Sequence, residues 1–172
     1  MATIGEWHGD PADLDMLAEV LHATVHGGGS VSFVLPFPMD AALTFWRDRV
    51  RPGVLAGTRR VLVARLDECI VGTVQIDLGT PPNQPHRAEV LKMLVHPDAR
   101  RRGIARALMT ALEDVARGSG RSLLTLDTVT GGRAETLYRS LGYVTVGMIP
   151  GYALPPTGAE LESTTIMYKI LM

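Results

Sequence analysis

A single cysteine, Cys69, stands among 172 residues. That excludes an internal disulfide framework and any multi-cysteine zinc or iron–sulfur site, and a reducing cytoplasm is the compartment that fits. Charge of one sign is missing as well, since 17 lysines and arginines face 18 aspartates and glutamates for a net charge of −1. No general attraction to nucleic acid or to an anionic membrane is expected from such a balance, so an anion site has to be local. Aromatic residues make up only 5% of the chain, and no cluster of them forms the stacking platform that single-stranded nucleic acid requires. Apolar runs approaching the roughly 20 residues of a membrane helix do not occur. The opening "MATIGEWHGDPADLD" is acidic and broken by glycine and proline, which is not the pattern of a signal peptide.

What is there suits one globular domain over residues 1–172, with a hydrophobic fraction of 46% and roughly two-thirds of the unfolded surface hidden on folding. No repeat, low-complexity tract or linker divides it. In "DPADLDMLAEVLHATV" (10–25), Leu14, Leu17, Ala18, Leu21 and Val25 recur at helical spacing behind an Asp10 cap and Pro11. The glycine- and proline-broken "HGGGSVSFVLPFP" follows, and "MDAALTFWRDRVRPGVLAG" (39–57) resumes a helical pattern with Leu43, Trp46 and Val50 on one side.

From Arg60 the period changes. "RVLVARL" and "CIVGTVQIDL", parted by "DE", read as a β-hairpin. "AEVLKMLVHP" predicts a strand, "RRGIARALMTALEDVARGSG" a helix, "SLLTLDTV" a strand, and "GGRAETLYRSLG" a helix closed by Gly142. This is a β-α-β-α unit whose two strands should be parallel. "YVTVGMIPGYAL" and "STTIMYKILM" add two more strands.

The segment "HPDARRRGIARALM" (96–109) sets three arginines before a glycine at a predicted helix start. Backbone N–H groups there have no partner within the helix. The helix dipole contributes about 0.3–1 kcal/mol toward an anion, and each charge-assisted arginine bond roughly 1.5–3 kcal/mol. Gly103 lets a phosphate approach the backbone, Ala105 keeps the next position small, and Arg102 and Arg106 lie one turn apart. A pyrophosphate suits this turn. The alternative is a solvated helix start, in which cations near the helix N-terminus are mildly unfavourable. Neither G-x-G-x-x-G nor G-x-x-x-x-G-K-[ST] occurs, so Rossmann and P-loop nucleotide sites find no support.

The run "VLKMLVHPDARRRGIARALM" resembles motif A of the GNAT superfamily of acyl-CoA-dependent N-acyltransferases, [RQ]-x-x-G-x-[GA], here Arg100 to Ala105. Downstream, "AETLYRSLGY" is similar to that family's second signature. "TVHGGGSVSF", "RAEVLKMLV", "LLTLDT" and "GMIPGYAL" further resemble the toxin-acetylating, tabtoxin-resistance branch. The resemblance covers roughly residues 59–171. It implies a mixed α/β (α+β) fold whose central mixed sheet has two splayed parallel strands flanked by helices. Acetyl-CoA would be the co-substrate, its pantetheine arm pairing with the backbone of Met93, Leu94 and Val95. Its pyrophosphate would be held by the turn Arg101, Arg102, Gly103, Ile104, Ala105 and Arg106, the place where the residues alone put an anion. Many members carry an asparagine where this chain has Gly131, so side-chain help for pantetheine is not expected there.

An alkyl amine with a pKa near 10 is about three units from neutral pH, and baring its lone pair costs roughly 4 kcal/mol. Glu89, the only carboxylate in its strand, is a candidate general base. Asp127 ends the adjacent strand, where α/β sheets bind ligands, and could share that role or grip the substrate ammonium. The alternative for each is a structural capping carboxylate. Tyr138 matches the family tyrosine that protonates the departing thiolate, against the alternative of a packed helix tyrosine. His26 and Ser30 belong to a candidate substrate loop, which could equally be a plain connection.

His22 and His26 are four apart but lack H-E-x-x-H and a third ligand, so no metal is expected. Acidic neighbours make Cys69 a poor nucleophile, which favours direct transfer over an acyl-enzyme. The expected function is acetyl-CoA-dependent N-acetylation of a small amine, with an amino-acid-like toxin or antibiotic among the candidates. The rivals are acetylation of a protein or peptide amine and a non-catalytic CoA-binding or nucleic-acid-binding module. Pairing of exposed tail strands between subunits would make a homodimer.

Overall fold

The computed structural model describes residues 1–158 and 160–172. The strands are β1 (Thr3–Trp7), β2 (Arg59–Leu66), β3 (Cys69–Asp77), β4 (Arg87–Val95), β5 (Leu123–Val129), β6 (Val144–Ala153) and β7 (Glu162–Ile170). The helices are α1 (Leu14–His26), α2 (Met39–Thr44), α3 (Arg51–Leu55), α4 (Ile104–Gly118) and α5 (Arg133–Ser140). One seven-stranded sheet runs in the order β1-β2-β3-β4-β5-β7-β6. Its neighbours are antiparallel except β4 and β5, which are parallel as the β-α-β-α pattern requires.

Strands β2 and β3 are buried on both faces, which explains why "VLVA" (61–64) is continuously apolar rather than alternating. Leu62 and Ala64 pack with α4 on one side, while Val61 and Val63 pack with α1, Trp7 and Trp46 on the other. On α4 the buried Ile104, Leu108, Leu112 and Ala116 recur every four residues, the stripe an amphipathic helix lays on a sheet. Asp67 and Glu68 both adopt positive φ, 47° and 69°, the conformation a two-residue type I′ hairpin demands.

Two expectations need correction. Strand β1 was not foreseen, because it is short, sits at the sheet edge and buries only Trp7 fully, leaving little alternation to read. Residues 39–57 do not form one regular helix: α2 passes through a π-helical turn over Phe45–Val50 before α3. Pro52 has no N–H to donate and its ring crowds the preceding turn, so the regular ladder cannot run through it. The wider turn still buries Trp46 and Val50.

The feature that positions a site is the parting of β4 from β5. They pair only through Arg87↔Leu123, Ala88↔Leu124 and Glu89↔Thr125. Beyond Glu89, β4 follows β3 instead, with one extra residue inserted between the pairs Gln75↔Leu91 and Thr73↔Leu94. Lys92, at φ 48°, occupies this bulge, and a bulge bends its strand and sharpens the twist. The β5-facing edge of β4 is therefore open from Val90 to Val95.

The end of α5 sets a second part. Gly142, at φ 86°, lets the N–H of Tyr143 reach back to the carbonyl of Tyr138 at 3.0 Å, a Schellman closure. That closure sets Tyr143 beside Tyr138, the rings tilted by 56° with centroids 5.7 Å apart. Lys169 of β7 bonds both carboxylate oxygens of buried Glu113 at 2.7 Å and the Leu141 carbonyl at 2.7 Å, tying β7, α4 and the end of α5 together.

Candidate functional site

The turn before α4 is built from two left-handed residues, Arg101 at φ 63° and Gly103 at φ 76°. Alternation of this kind points successive N–H groups into one concavity, the arrangement that binds anions. Among the described residues no backbone N–H from Arg101 to Arg106 has an acceptor, the first internal bond being Ala107 to the Gly103 carbonyl at 3.0 Å. A Cβ at Gly103 would meet no protein atom within 4 Å, so backbone conformation, not crowding, selects glycine. The side chains of Arg101 and Arg102 are exposed. Arg106 donates to Ser140 Oγ at 2.7 Å, which commits part of its guanidinium to bridging α4 and α5.

At the point where β4 and β5 part lies a cavity of about 170 Å³ lined by Arg87, Glu89, Thr125, Leu126, Asp127, Tyr152 and Ile166. It brings together the two carboxylates nominated from sequence. Arg87 is fixed by Gln84 Oε1 at 2.7 Å and Thr125 Oγ1 at 3.0 Å, and its Nη1 stands 3.9 Å from Glu89 Oε2. Asp127 accepts from Thr164 Oγ1 at 2.9 Å. Tyr138 is buried, and burial first, then the negative charge of Asp127, push its phenol well above the ordinary value of 10.0. The phenol therefore keeps its O–H throughout the neutral range.

His26 and Ser30 are not among the residues lining this cavity. His26 Nε2 is bonded to the Phe37 carbonyl at 2.8 Å and its ring stacks on His22, which ties the loop to α1. The loop reaches the bulge of β4 through Ser32, at φ 77°, whose Oγ accepts from Lys92 Nζ at 2.8 Å. Gly131, in place of an asparagine, donates its N–H to Glu135 Oε2 at 2.6 Å. It lines a second cavity of about 290 Å³ with Thr130, Glu135, Thr136 and Arg139.

Sequence reasoning missed Arg87, Gln84, Tyr152, Lys92 and Ser32. Only Arg87 carried a usable signal, lying two residues before Glu89 and hence on the same strand face. Lys92 is instructive, because desolvation lowers its pKa, opposed by Asp127 and helped by Arg59. The unfolded chain holds that proton up to the ordinary 10.5 and the folded one releases it sooner. Between the two values the unfolded state binds more protons, so stability rises with pH. Relative to Lys92→Met, the wild type is expected to gain stability as pH is raised from about 7 to about 10, read by denaturant unfolding. A difference that stays flat with pH contradicts a partly desolvated ammonium at Lys92.

The model of the Acetyltransferase (GNAT) family matches residues 31–143. The chain is 36% identical over 118 residues to an N-acetyltransferase of the hisH-hisA intergenic region of Azospirillum brasilense, covering 67% of each protein. It is 36% identical over 104 residues to the IAA acetyltransferase of the same organism, covering 60% of this chain and 66% of that protein. Among solved structures, yncA of Salmonella typhimurium with its cofactor acetyl-CoA superposes with a TM-score of 0.80 at 20% identity, covering 100% of this chain and 95% of that one. This last likeness is one of fold.

Proposed function

The chain belongs to the acetyltransferase (GNAT) family and is an N-acetyltransferase of that type, and from that premise we propose that it acts in the cytoplasm, acetylating a small, amino-acid-like amine directly from acetyl-CoA. A toxin or antibiotic is the kind of acceptor in view, in keeping with the resemblance of "RAEVLKMLV" and "GMIPGYAL" to the toxin-acetylating branch. The observation that carries the reading is the cavity of about 170 Å³ that sets Glu89, Asp127 and Arg87 around the parting of β4 and β5. Its volume is below the roughly 300–1,000 Å³ of sites for drug-sized ligands, and it suits a compact acceptor. The two carboxylates offer a partner for an ammonium, and Arg87 one for a carboxylate.

The residues fit acetyl-CoA on two counts. The unpartnered N–H groups from Arg101 to Arg106 match a pyrophosphate, and the open edge of β4 at Met93, Leu94 and Val95 offers backbone pairing to an extended amide chain. When bound, the co-substrate supplies a thioester carbonyl for the amine to attack. Glu89, or Asp127 beside it, accepts the proton that the acceptor ammonium must lose before it attacks and relays it to solvent, easing a deprotonation whose equilibrium cost at neutral pH is roughly 4 kcal/mol. The Tyr138 O–H gives a proton to the departing sulfur and regains one from the nitrogen, which sheds its second proton once the new amide bond has formed. No group on the protein is acylated in this scheme. Holding both reactants in one cleft contributes through proximity, which well-oriented systems turn into about 7–11 kcal/mol.

A thiol-release assay with acetyl-CoA tests this against small amines, β-lactam-bearing amino acids and peptides with free N-termini. Release with small amino-acid-like amines is expected. Release with peptides alone makes the protein a peptide acetyltransferase, and acetyl-CoA binding without release across the panel makes it a sensor.

A further inference from the structure

The bulge of β4, with Lys92 at φ 48°, sets Leu91 and Leu94 on one face of the sheet although they are three residues apart. Leu91 pairs with Gln75 and Gln75 with Val61, while Val61 and Leu94 pack together in the core beneath α1. Glu89, two residues before Leu91, shares that face. The bulge turns Lys92 toward it as well: its Nζ lies 2.8 Å from Ser32 Oγ and 5.7 Å from the centroid of the Phe33 ring, both in the loop that follows α1. That loop crosses the gap between β4 and β5. Beyond Ser32, the Leu35 N–H donates to the Pro156 carbonyl at 2.9 Å, in the connection between β6 and β7 on the β5 side of the sheet.

Two arginines on this face have carboxylates beside them. Arg59 pairs with Asp77 at 3.0 Å, and Arg87 shares its charge with Glu89 at 3.9 Å. Lys92 is half-buried, yet among the described residues its ammonium has one hydroxyl as acceptor and no carboxylate in an ion pair. Desolvation lowers its pKa, and the negative charge that opposes this is that of Asp127, the carboxylate lining the opening with Glu89. A second donor on the face is unmet too: Gln75 Oε1 accepts from Arg59 at 3.2 Å, and its Nε2 is buried with no acceptor. Desolvated charges and donors are ordinarily paired, so a face with surplus donors calls for an anion.

We infer that Lys92, more than Arg87, selects the acceptor by binding a carboxylate that it carries, while Glu89 and Asp127 hold its amine. The inference rests on the acetyl-transfer reading and adds the chemical class, an amine with a carboxylate a few bonds away, as in an amino acid. Glu89 and Lys92 are three residues apart, roughly 10 Å of strand, a span that two long side chains and a compact amino acid bridge. The carboxylate accepts from the N–H groups of Nζ that Ser32 leaves free. A carboxamide in its place offers a neutral oxygen and leaves the ammonium without a counter-charge.

Thiol release from acetyl-CoA is measured with amino acids and with the carboxamides of the same amino acids, for the wild type, Lys92→Met and Lys92→Arg. The two kinds of amine differ in basicity, so the quantity read is the ratio of kcat/KM for acid over carboxamide in each protein. Lys92→Met is expected to lower that ratio on the order of 30-fold through a raised KM for the acid, and Lys92→Arg to keep most of it. Acetyl-CoA binding to each variant, read by calorimetry, shows that the variant is folded. A ratio unmoved by Lys92→Met, or a wild type whose KM is no lower for the acid than for the carboxamide, overturns selection by Lys92 and leaves acetyl transfer standing. Release from no amino acid and no carboxamide overturns the acetyl-transfer reading for such amines and this inference with it.

Discussion

Replacing Tyr138 by phenylalanine is expected to lower kcat by on the order of 100-fold, within the range for loss of a positioned proton donor, while acetyl-CoA affinity stays within about twofold. The Schellman closure at Gly142 and the contact with Tyr143 hold the ring in place, and phenylalanine keeps that packing. What is lost is the O–H. Burial and the Asp127 charge keep the phenol protonated, so a proton is present whenever the carbon–sulfur bond begins to break. A thiolate of pKa about 8.5 is a modest leaving group, and protonation eases its departure. A full pH series should show no loss of wild-type rate from titration of this phenol near neutrality. An unchanged kcat with the true acceptor would leave Tyr138 a packing residue, and a fall confined to acetyl-CoA affinity would place it in binding.

Gly103→Val is expected to weaken acetyl-CoA binding by on the order of 30-fold, and Arg102→Ala by only a few-fold, both read by titration calorimetry. Valine in a left-handed conformation costs about 1–2 kcal/mol, and relief of that strain turns several N–H groups away from the concavity at once. Arg102 is exposed, and screened surface pairs are worth about 0.2–1 kcal/mol. The reverse order of effects would make the three arginines a simple basic patch.

The turn was legible in sequence because it is local: a glycine, a run of arginines and a helical stripe define it within a dozen residues. Glu89 and Asp127 were legible for a different reason. A β-α-β unit with parallel strands starts both strands in register, here Glu89 opposite Thr125, which puts carboxylates 38 positions apart at one opening. Tyr152 was not legible, since its place at the cavity depends on β7 inserting between β5 and β6, an order that no short-range pattern encodes. Lys92 was hidden because its role comes from a bulge, and a lysine in a valine- and leucine-rich strand carries no mark of positive φ. His26 was nominated for the substrate loop from the glycines beside it; the partner of its Nε2, the Phe37 carbonyl, lies too far along the chain for any local pattern to mark it.

The central claim is direct transfer from acetyl-CoA to a small amine at the opening between β4 and β5. It is tested most directly by following an isotopically labelled acetyl group from acetyl-CoA in a single turnover, with an acceptor from the amine panel present. The account predicts that the label appears on the small amine, that none is held on the protein at any time, and that Glu89→Gln slows its arrival. Label accumulating on Cys69 or a lysine of the protein before reaching the amine, or label that reaches only peptide amines, would contradict it.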